Sequence, residues 1–140
     1  MARVLAMVLA GVAAVGMAGG AVAAEPGPVE RGRYLVEGVG LCADCHTPRD
    51  ATGRPDGAKA LHGSAIGFAP LVPVPGWADT APALAGGRPG WTRSQMIDFL
   101  TTGVRPGGEP ARPPMPPYRL NRQDAEAVAV YLESLPAPRR

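Results

Sequence analysis

Residues 42–46 read Cys42-Ala43-Asp44-Cys45-His46, and this C-x-x-C-H stretch contains both cysteines of the 140-residue chain. The spacing is that of a c-type haem attachment site. In such a site each thiol adds to one vinyl group of the porphyrin, and the imidazole that follows binds the iron. The motif therefore predicts one covalent haem c, attached through Cys42 and Cys45, with His46 as an axial ligand.

Three other uses of these cysteines fit the sequence less well. A thioredoxin-like C-x-x-C is expected beside a βαβ pattern, and the chain has no alternation typical of strands. A structural zinc site needs four nitrogen or sulfur ligands, and His62 does not complete a zinc-type pair with His46. A disulfide across this four-residue loop would constrain almost nothing and would leave His46 without a role.

The first 24 residues have the pattern of a secretory signal peptide. Arg3 precedes an apolar stretch rich in Ala, Val and Gly, and small residues end it. We expect cleavage after Ala23 or Ala24, and export agrees with the attachment of c-type haem outside the cytoplasm. The predicted location is the periplasm. The alternative is an uncleaved anchor, since the stretch is long enough to span a bilayer, and membrane contact is expected only in that case.

Residues 25–140 form one predicted small domain with nearly balanced charge. The whole chain carries 14 Lys and Arg against 12 Asp and Glu. It therefore has no basic surface for nucleic acid and no strong field to steer a partner. With 19 glycines and 17 prolines the apolar core must be small, and a large group bonded at several points would stabilise it.

Three helices are predicted between loops. They run from about Val29 to Val39, from Thr92 to Thr102 and from Arg122 to Leu135. The second begins with a T-x-x-Q capping box and stops at Gly103. The third has Asn121 as its N-cap and apolar residues at helical spacing.

Two features of the first half of the domain need a tertiary explanation. Gly32 lowers the helix propensity of the first helix, so it indicates that another backbone passes close by. The Gly/Pro-rich segment 46–90 has no periodicity. A structureless loop of this length is unusual in a compact domain, and the predicted haem would supply the apolar surface around which it wraps.

Three side chains could supply the second axial ligand: His62, Met96 and Met115. Met96 lies on the inward face of a predicted helix, where a methionine usually fills core space. Met115 lies in Arg112-Pro113-Pro114-Met115-Pro116-Pro117-Tyr118, where four prolines restrict the backbone. We therefore predict Met115 as the ligand. Two alternatives stay open: Met115 is a plain surface residue of a proline turn, or His62 is the ligand and gives bis-histidine iron.

Taken together, these features resemble a monohaem class I cytochrome c, from the first predicted helix to the last. The chain is especially similar to the cytochrome domains and subunits that take electrons from periplasmic dehydrogenases, where Gly-x-Tyr-Leu and Met-Pro-x-Tyr recur. The matching stretches are Gly32-Arg33-Tyr34-Leu35, Cys42 to Pro48, Ala81-Pro82-Ala83-Leu84-Ala85-Gly86, Gly90-Trp91-Thr92, Pro114 to Tyr118 and Ala127 to Leu135.

The resemblance implies an all-α fold, a small helical domain wrapped round one covalent haem with long Gly/Pro-rich loops. It implies that the first and last helices cross at Gly32, against Tyr131 and Leu132. It also implies that His46 and Met115 bind the iron from opposite sides. The lysine-poor surface and the long loop after residue 48 depart from the family pattern.

Further side chains are candidates for contacts around the haem. Pro48 is expected to turn the chain so that a nearby carbonyl accepts a hydrogen bond from His46 Nδ1. Aromatic side chains could pack on the haem, with ordinary core packing as an equal alternative. Arginines could pair with propionates, although a solvated arginine is the commoner outcome. These candidates are Tyr34, Trp77, Trp91, Tyr118, Arg49 and Arg112.

The predicted function is electron transfer by a protein that is not itself an enzyme. With both axial positions filled by the protein, the iron cycles between Fe(II) and Fe(III) and binds no substrate. The expected partners are a dehydrogenase as donor and an oxidase or another cytochrome as acceptor, within a respiratory chain. The alternative is a gas sensor or a peroxidase-like enzyme with five-coordinate iron.

Overall fold

The computed structural model describes residues 25–139 of the 140-residue chain. The predicted signal peptide, residues 1–24, lies outside the described residues. Over the described range, no helix combines the length and the apolar character needed to cross a membrane. The elements are α1 (Pro28–Tyr34) with a π-helical continuation (Leu35–Val39), α2 (Cys42–His46), a 3₁₀ turn (Gly57–Lys59), β1 (Ser64–Ala65), β2 (Thr80–Ala81), α3 (Arg93–Thr102) and α4 (Arg122–Ser134).

The three predicted helices are confirmed, with bounds that shift by about one residue. The first begins with Pro28, because proline at the first helical position loses no hydrogen bond. Its last turn widens to π geometry, in which the Gly40 N–H donates to the Leu35 carbonyl at 2.7 Å. Leu41 then takes a left-handed φ of 49°, and α2 begins at the next residue.

Besides the 3₁₀ turn, two elements go beyond the sequence prediction. One is α2, which is the C-x-x-C-H motif itself. The other is a small antiparallel sheet in which β1 pairs with β2, Ser64 opposite Ala81 and Ala65 opposite Thr80. The fold is therefore mostly helical with a small two-stranded sheet, and the all-α prediction is corrected in this respect. Strands of two residues are too short to show alternation in a sequence.

The caps of α3 are those that its sequence predicts. The Gln95 N–H donates to Thr92 Oγ1 at 3.2 Å, and the Thr92 N–H donates to Gln95 Oε1 at 2.9 Å. Gly103 ends the helix with a φ of +72°, a conformation that favours glycine. On α4 the Asp124 N–H donates to Asn121 Oδ1 at 2.8 Å, as expected for an N-cap.

Helices α1 and α4 cross at Gly32. A Cβ at this position would lie 2.0 Å from the Ala127 carbonyl oxygen and 2.6 Å from Tyr131 Cβ. The predicted close backbone is therefore present, and it belongs to α4. The Tyr131 hydroxyl donates to Glu37 Oε1 across the same crossing.

The core lies between α1, α3 and α4, and two pieces of the long loop enter it. Met96 is 6 % exposed and belongs to this core, as predicted. The loop contributes Leu61, Leu84 and Ala85, which carry the segment after α2 onto the helices. The buried cluster consists of Leu35, Val36, Leu61, Leu84, Ala85, Met96, Ile97, Phe99, Leu100, Ala125, Val128, Ala129, Tyr131 and Leu132.

Candidate haem site

Helix α2 presents the two thiols of the motif. Cys42 and Cys45 are three residues apart on one helical turn, a spacing that places their side chains on neighbouring positions of one face. Both are free and partly buried, so the disulfide alternative finds no support. Burial raises the pKa of Cys42 to about 11, which keeps this thiol protonated at neutral pH. Within residues 25–139, no three His, Cys, Asp or Glu side chains are grouped as a metal site would require. The structural-zinc alternative therefore has no support either.

The imidazole of His46 is buried and oriented by one hydrogen bond. Its Nδ1 lies 2.7 Å from the Pro82 carbonyl oxygen. A carbonyl only accepts hydrogen bonds, so Nδ1 carries the proton and Nε2 keeps the lone pair that binds a metal. Burial lowers the pKa of His46, and the positive charge of Arg88 lowers it further, against the effect of the bond to Pro82. The ring is therefore held neutral, which is the ligating form.

The carbonyl that accepts from His46 Nδ1 lies far from the motif in the sequence. Pro48 follows the motif closely, but its carbonyl accepts from the Asp56 N–H at 2.8 Å. Pro82 lies 36 residues along the chain from His46 and directly after β2. The expected carbonyl partner exists, and the tertiary structure brings it from the far end of the long loop.

Met115 is half-buried against the core, on a loop that is held at both ends. The Met115 N–H donates to the Arg112 carbonyl at 3.0 Å, and the Ala78 N–H donates to the Pro113 carbonyl at 2.7 Å. The Arg112 guanidinium donates to the carbonyls of Gly76 and Trp77 at 3.0 and 2.9 Å. These bonds join the proline-rich loop to residues 76–78.

Tyr118 joins the other end of this loop to the haem motif. Its hydroxyl donates to the Gly40 carbonyl at 2.6 Å, two residues before Cys42. A Cβ at Gly40 would lie 3.3 Å from Cys42 Sγ and 3.4 Å from the Tyr118 hydroxyl. The loop that carries Met115 is thus brought to the start of the motif helix by a side chain three residues away from it.

His62, the other candidate axial ligand, lies in the tight turn after the 3₁₀ helix. Its N–H donates to the Lys59 carbonyl at 3.1 Å. Its neighbours Leu61 and Gly63 bind the segments around His46 and Pro82 through their backbones.

The arginines predicted as propionate partners have other partners. Arg49 donates to the Gly53 carbonyl at 2.9 Å, and Arg112 donates to the two carbonyls of the neighbouring loop described above. Both therefore support loop backbones. Among the aromatic candidates, Trp77 packs edge-on against Phe68 and Trp91 against Phe99, with ring centroids 5.8 and 5.2 Å apart.

Arg88 lies close enough to the candidate site to act on His46, and the sequence does not single it out. Its guanidinium carbon lies 4.0 Å from the centroid of the Trp91 ring. Among residues 25–139 no carboxylate pairs with it, and its charge acts on His46. A half-buried cation near His46 could pair with an acidic group of a bound cofactor. Its context, Gly86-Gly87-Arg88-Pro89-Gly90, is the only local signal.

These residues together fit a covalent haem c. The site offers two free thiols on one helical face, a buried neutral imidazole with Nε2 unprotonated and a thioether on a braced loop. It also offers the guanidinium of Arg88, which has no carboxylate partner among residues 25–139. A C-x-x-C-H motif with these surroundings is the haem attachment site of c-type cytochromes. The sequence profile of the cytochrome c family matches residues 29–136, and the chain belongs to this family.

Curated relatives agree with this assignment. The chain is similar to the gluconate 2-dehydrogenase cytochrome c subunit of Pantoea cypripedii, with 37 % identity over 131 residues, 82 % of this chain and 28 % of that subunit. It is similar to a diheme cytochrome c-type protein of Cereibacter sphaeroides, with 34 % identity over 113 residues, 77 % of this chain and 36 % of that protein. The fructose dehydrogenase cytochrome subunit of Gluconobacter japonicus is 32 % identical over 114 residues, 76 % of this chain and 22 % of that subunit.

The chain spans little more than a third, or less, of the length of these relatives. It is a cytochrome c domain homologous to parts of cytochrome subunits of dehydrogenases. Membership of the family implies a covalent haem c, and Cys42 and Cys45 fit its attachment motif.

Proposed function

We propose that this domain is an electron-transfer protein of the periplasm, which accepts electrons from a dehydrogenase and passes them toward the respiratory chain. A single haem c, held by Cys42 and Cys45, supplies the one-electron chemistry of the Fe(II)/Fe(III) couple. His46 and Met115 are the proposed axial ligands. The domain itself is proposed as a carrier and not as an enzyme.

The main support for this proposal is the burial and the hydrogen bonding of His46. The ring is 6 % exposed, its Nδ1 proton is directed at the Pro82 carbonyl at 2.7 Å, and Nε2 is left as the ligating atom. Ligating histidines usually have such a partner on the other ring nitrogen, which fixes the tautomer and raises the basicity of the ligand. The geometry suits a permanent axial ligand on the segment that carries both thiols.

The braced loop of Met115 favours a carrier over a sensor or a peroxidase. Bonds to residues 76–78 on one side and to Gly40 on the other leave the loop little freedom. A thioether held in this way can occupy the second axial position permanently, and it raises the reduction potential relative to other axial sets. A peroxidase-like site would instead need an open position and an acid or base beside it.

Location and partners rest on separate support. The periplasm is proposed from the signal-peptide pattern of residues 1–24. The dehydrogenase partner is proposed because several relatives bear the names of dehydrogenase cytochrome subunits. The nearly balanced charge agrees with a partner held at short range, since long-range steering needs a strong field.

The direct test uses absorption spectra of the protein produced with haem-maturation machinery. The wild type should retain haem covalently and show a low-spin spectrum with a methionine–iron(III) charge-transfer band. Met115→Ala should lose this band while keeping the haem, because the covalent attachment is elsewhere. His62→Ala is the matched control and should keep the band.

Three results would contradict the proposal. High-spin wild-type iron that readily binds CO or cyanide would move the protein to the sensor or enzyme class. Loss of the low-spin spectrum in His62→Ala and not in Met115→Ala would make His62 the ligand. Absence of covalent haem would remove the basis of the proposed chemistry.

A further inference from the structure

The carbonyl that orients His46 belongs to a segment with little regular structure of its own. Pro82 follows a strand of two residues, and the loop around it is rich in glycine and proline. A hydrogen bond of 2.7 Å to His46 Nδ1 requires that this carbonyl be held in place. The turn of residues 61–63 makes the contacts that hold it.

Leu61 ties the two segments together through both of its backbone groups. Its N–H donates to Thr47 Oγ1 at 3.0 Å. Its carbonyl accepts from the N–H groups of Leu84 and Ala85 at 2.8 and 3.1 Å. The residue after His46 is thereby linked to the residues after Pro82.

This connection is buried and conformationally strained. Leu61 is 2 % exposed and Thr47 is 3 % exposed, so water cannot replace the bond between them. Leu61 has a φ of +60°, a left-handed conformation that a leucine rarely takes. Such a conformation persists only where the surrounding structure imposes it.

Gly63 brings the same turn against Pro82 itself. Its N–H donates to the His46 carbonyl at 2.7 Å. Its φ is +86°, and a Cβ there would lie 2.8 Å from the Ala83 nitrogen and 3.1 Å from the Pro82 carbonyl carbon. Only a glycine therefore lets the turn contact both His46 and the Pro82 segment.

We infer that Thr47 and Gly63 are positioning residues, which hold the Pro82 carbonyl against His46 through the 61–63 turn and thereby set the reduction potential of the domain. This inference rests on the proposed function, since it concerns the same axial histidine. A strong bond from Nδ1–H raises the electron donation of the imidazole. Donation stabilises the oxidised iron, so a longer or lost bond raises the potential.

The first pair of variants tests the Thr47 hydroxyl. Thr47→Val keeps the shape of the side chain and removes the acceptor of the Leu61 N–H. We expect the ratio of reduced to oxidised protein at a fixed solution potential to rise about tenfold, which equals about 59 mV for a one-electron couple. Thr47→Ser keeps the hydroxyl and should return the ratio to within about twofold of the wild type.

The second pair tests the approach of the turn to Pro82. Gly63→Ala places a methyl group against the Ala83 and Pro82 backbone. Like Thr47→Val, it should raise the ratio of reduced to oxidised protein at a fixed solution potential. Gly108→Ala is the matched control, because Gly108 has a similar φ of +90° but nothing within 4 Å of the added Cβ. The control should lose stability through backbone strain alone and leave the ratio unchanged.

Hydrogen exchange in the wild type tests the same hydrogen bonds independently. It remains available if a variant does not fold and incorporate haem. The His46 Nδ1 proton and the Leu61 amide proton should both be protected in NMR spectra of the reduced protein. The inference is overturned by rapid exchange of both protons, or by Thr47→Val and Gly63→Ala ratios within twofold of the wild type. A wild type whose spectrum lacks methionine–histidine ligation would contradict the proposed function and not this inference. The two failures can be told apart, because the protection of the His46 and Leu61 protons does not depend on Met115.

Discussion

Gly32 shows how one missing side chain allows two helices to cross. The Ala127 carbonyl occupies the space that a Cβ would fill, at 2.0 Å. Backbone cannot move aside as the end of a flexible side chain can. The position therefore sets the closest approach of α1 to α4, and the reduced helix propensity of glycine is the cost of that approach.

We predict that Gly32→Ala destabilises the domain by about 3 kcal/mol or more, at the upper end of the usual cost of overpacking. Gly38→Ala is the control on the same helical segment, since its Cβ would meet only the Tyr34 ring at 3.5 Å. It should stabilise by about 0.5–1 kcal/mol through helix propensity. Urea unfolding of the haem-loaded proteins measures both, and equal effects of the two substitutions would contradict the crossing described here.

At the scale of elements, α1 and α4 are also joined by a partly exposed ion pair beside the N-terminus of α4. The Arg31 guanidinium donates to both carboxylate oxygens of Asp124, at 2.8 and 3.1 Å. The Asn121 amide donates to the same carboxylate at 2.9 Å, so one aspartate serves both the cap of α4 and the helix pair. The hydrogen bonds from Arg31 hold the pKa of Asp124 below its ordinary value.

The lowered pKa of Asp124 predicts a dependence of stability on pH. A carboxyl group with a depressed folded pKa stabilises the native state above its unfolded pKa of about 3.9 and loses this effect as the pH falls through the folded value. Asp124→Asn should therefore lower the free energy of unfolding at pH 7. Its difference from the wild type should shrink below about pH 3.9.

Urea unfolding at several pH values measures this effect. Glu126→Gln is the matched control, because Glu126 faces Arg122 at 3.7 Å in an exposed pair, and exposed pairs contribute little. A difference between Asp124→Asn and the wild type that does not change with pH would mean that shape, and not charge, joins the two helices.

At the scale of the whole molecule, the two halves of the domain are stabilised differently. Helices α3 and α4 and the π-helical continuation of α1 supply most of the buried apolar residues. Among the described residues from 47 to 91, only Leu61, Ala81, Leu84 and Ala85 are buried hydrophobics. This half depends on backbone hydrogen bonds to the motif segment, and a covalently bound haem would add the apolar surface that it lacks.

We predict that Cys42→Ser together with Cys45→Ser lowers the melting temperature by more than about 4 °C, the shift for roughly 1 kcal/mol in a domain near this size. Without the two thiols the haem is no longer covalently attached to the chain, so the native state loses the stabilisation that this attachment gives. Circular dichroism measures the transition, and hydrogen exchange should show the larger loss of protection in residues 47–91. An unchanged melting temperature would contradict a stabilising role for the attachment.

The features that could be predicted are those with their causes within a few residues. The T-x-x-Q box of α3, the glycine stop at 103 and the N-cap of α4 each depend on neighbours at most four positions away. The five residues of the motif likewise predict the attachment of haem c by spacing alone, and membership of the cytochrome c family agrees with this prediction. Gly32 is a partial exception, because its unfavourable propensity indicates a close contact but not the atom that makes it.

The remaining features depend on contacts between distant residues. No local pattern predicts that the Pro82 carbonyl accepts from His46, that Leu61 has a left-handed φ, or that two strands of two residues pair. Arg88, which pairs with no carboxylate among residues 25–139, has only its glycine-rich context as a signal. Each is specified by what packs against it, and a strained φ or an oriented imidazole persists only inside that packing. The sequence by itself determined the helices and the membership of the cytochrome c family that the attachment motif indicates, because both follow from short-range spacing. The identity of the carbonyl that binds His46, the bracing of Met115 and the Ala127 carbonyl that meets α1 at Gly32 came only from the tertiary structure, because chain folding alone brings those backbones together.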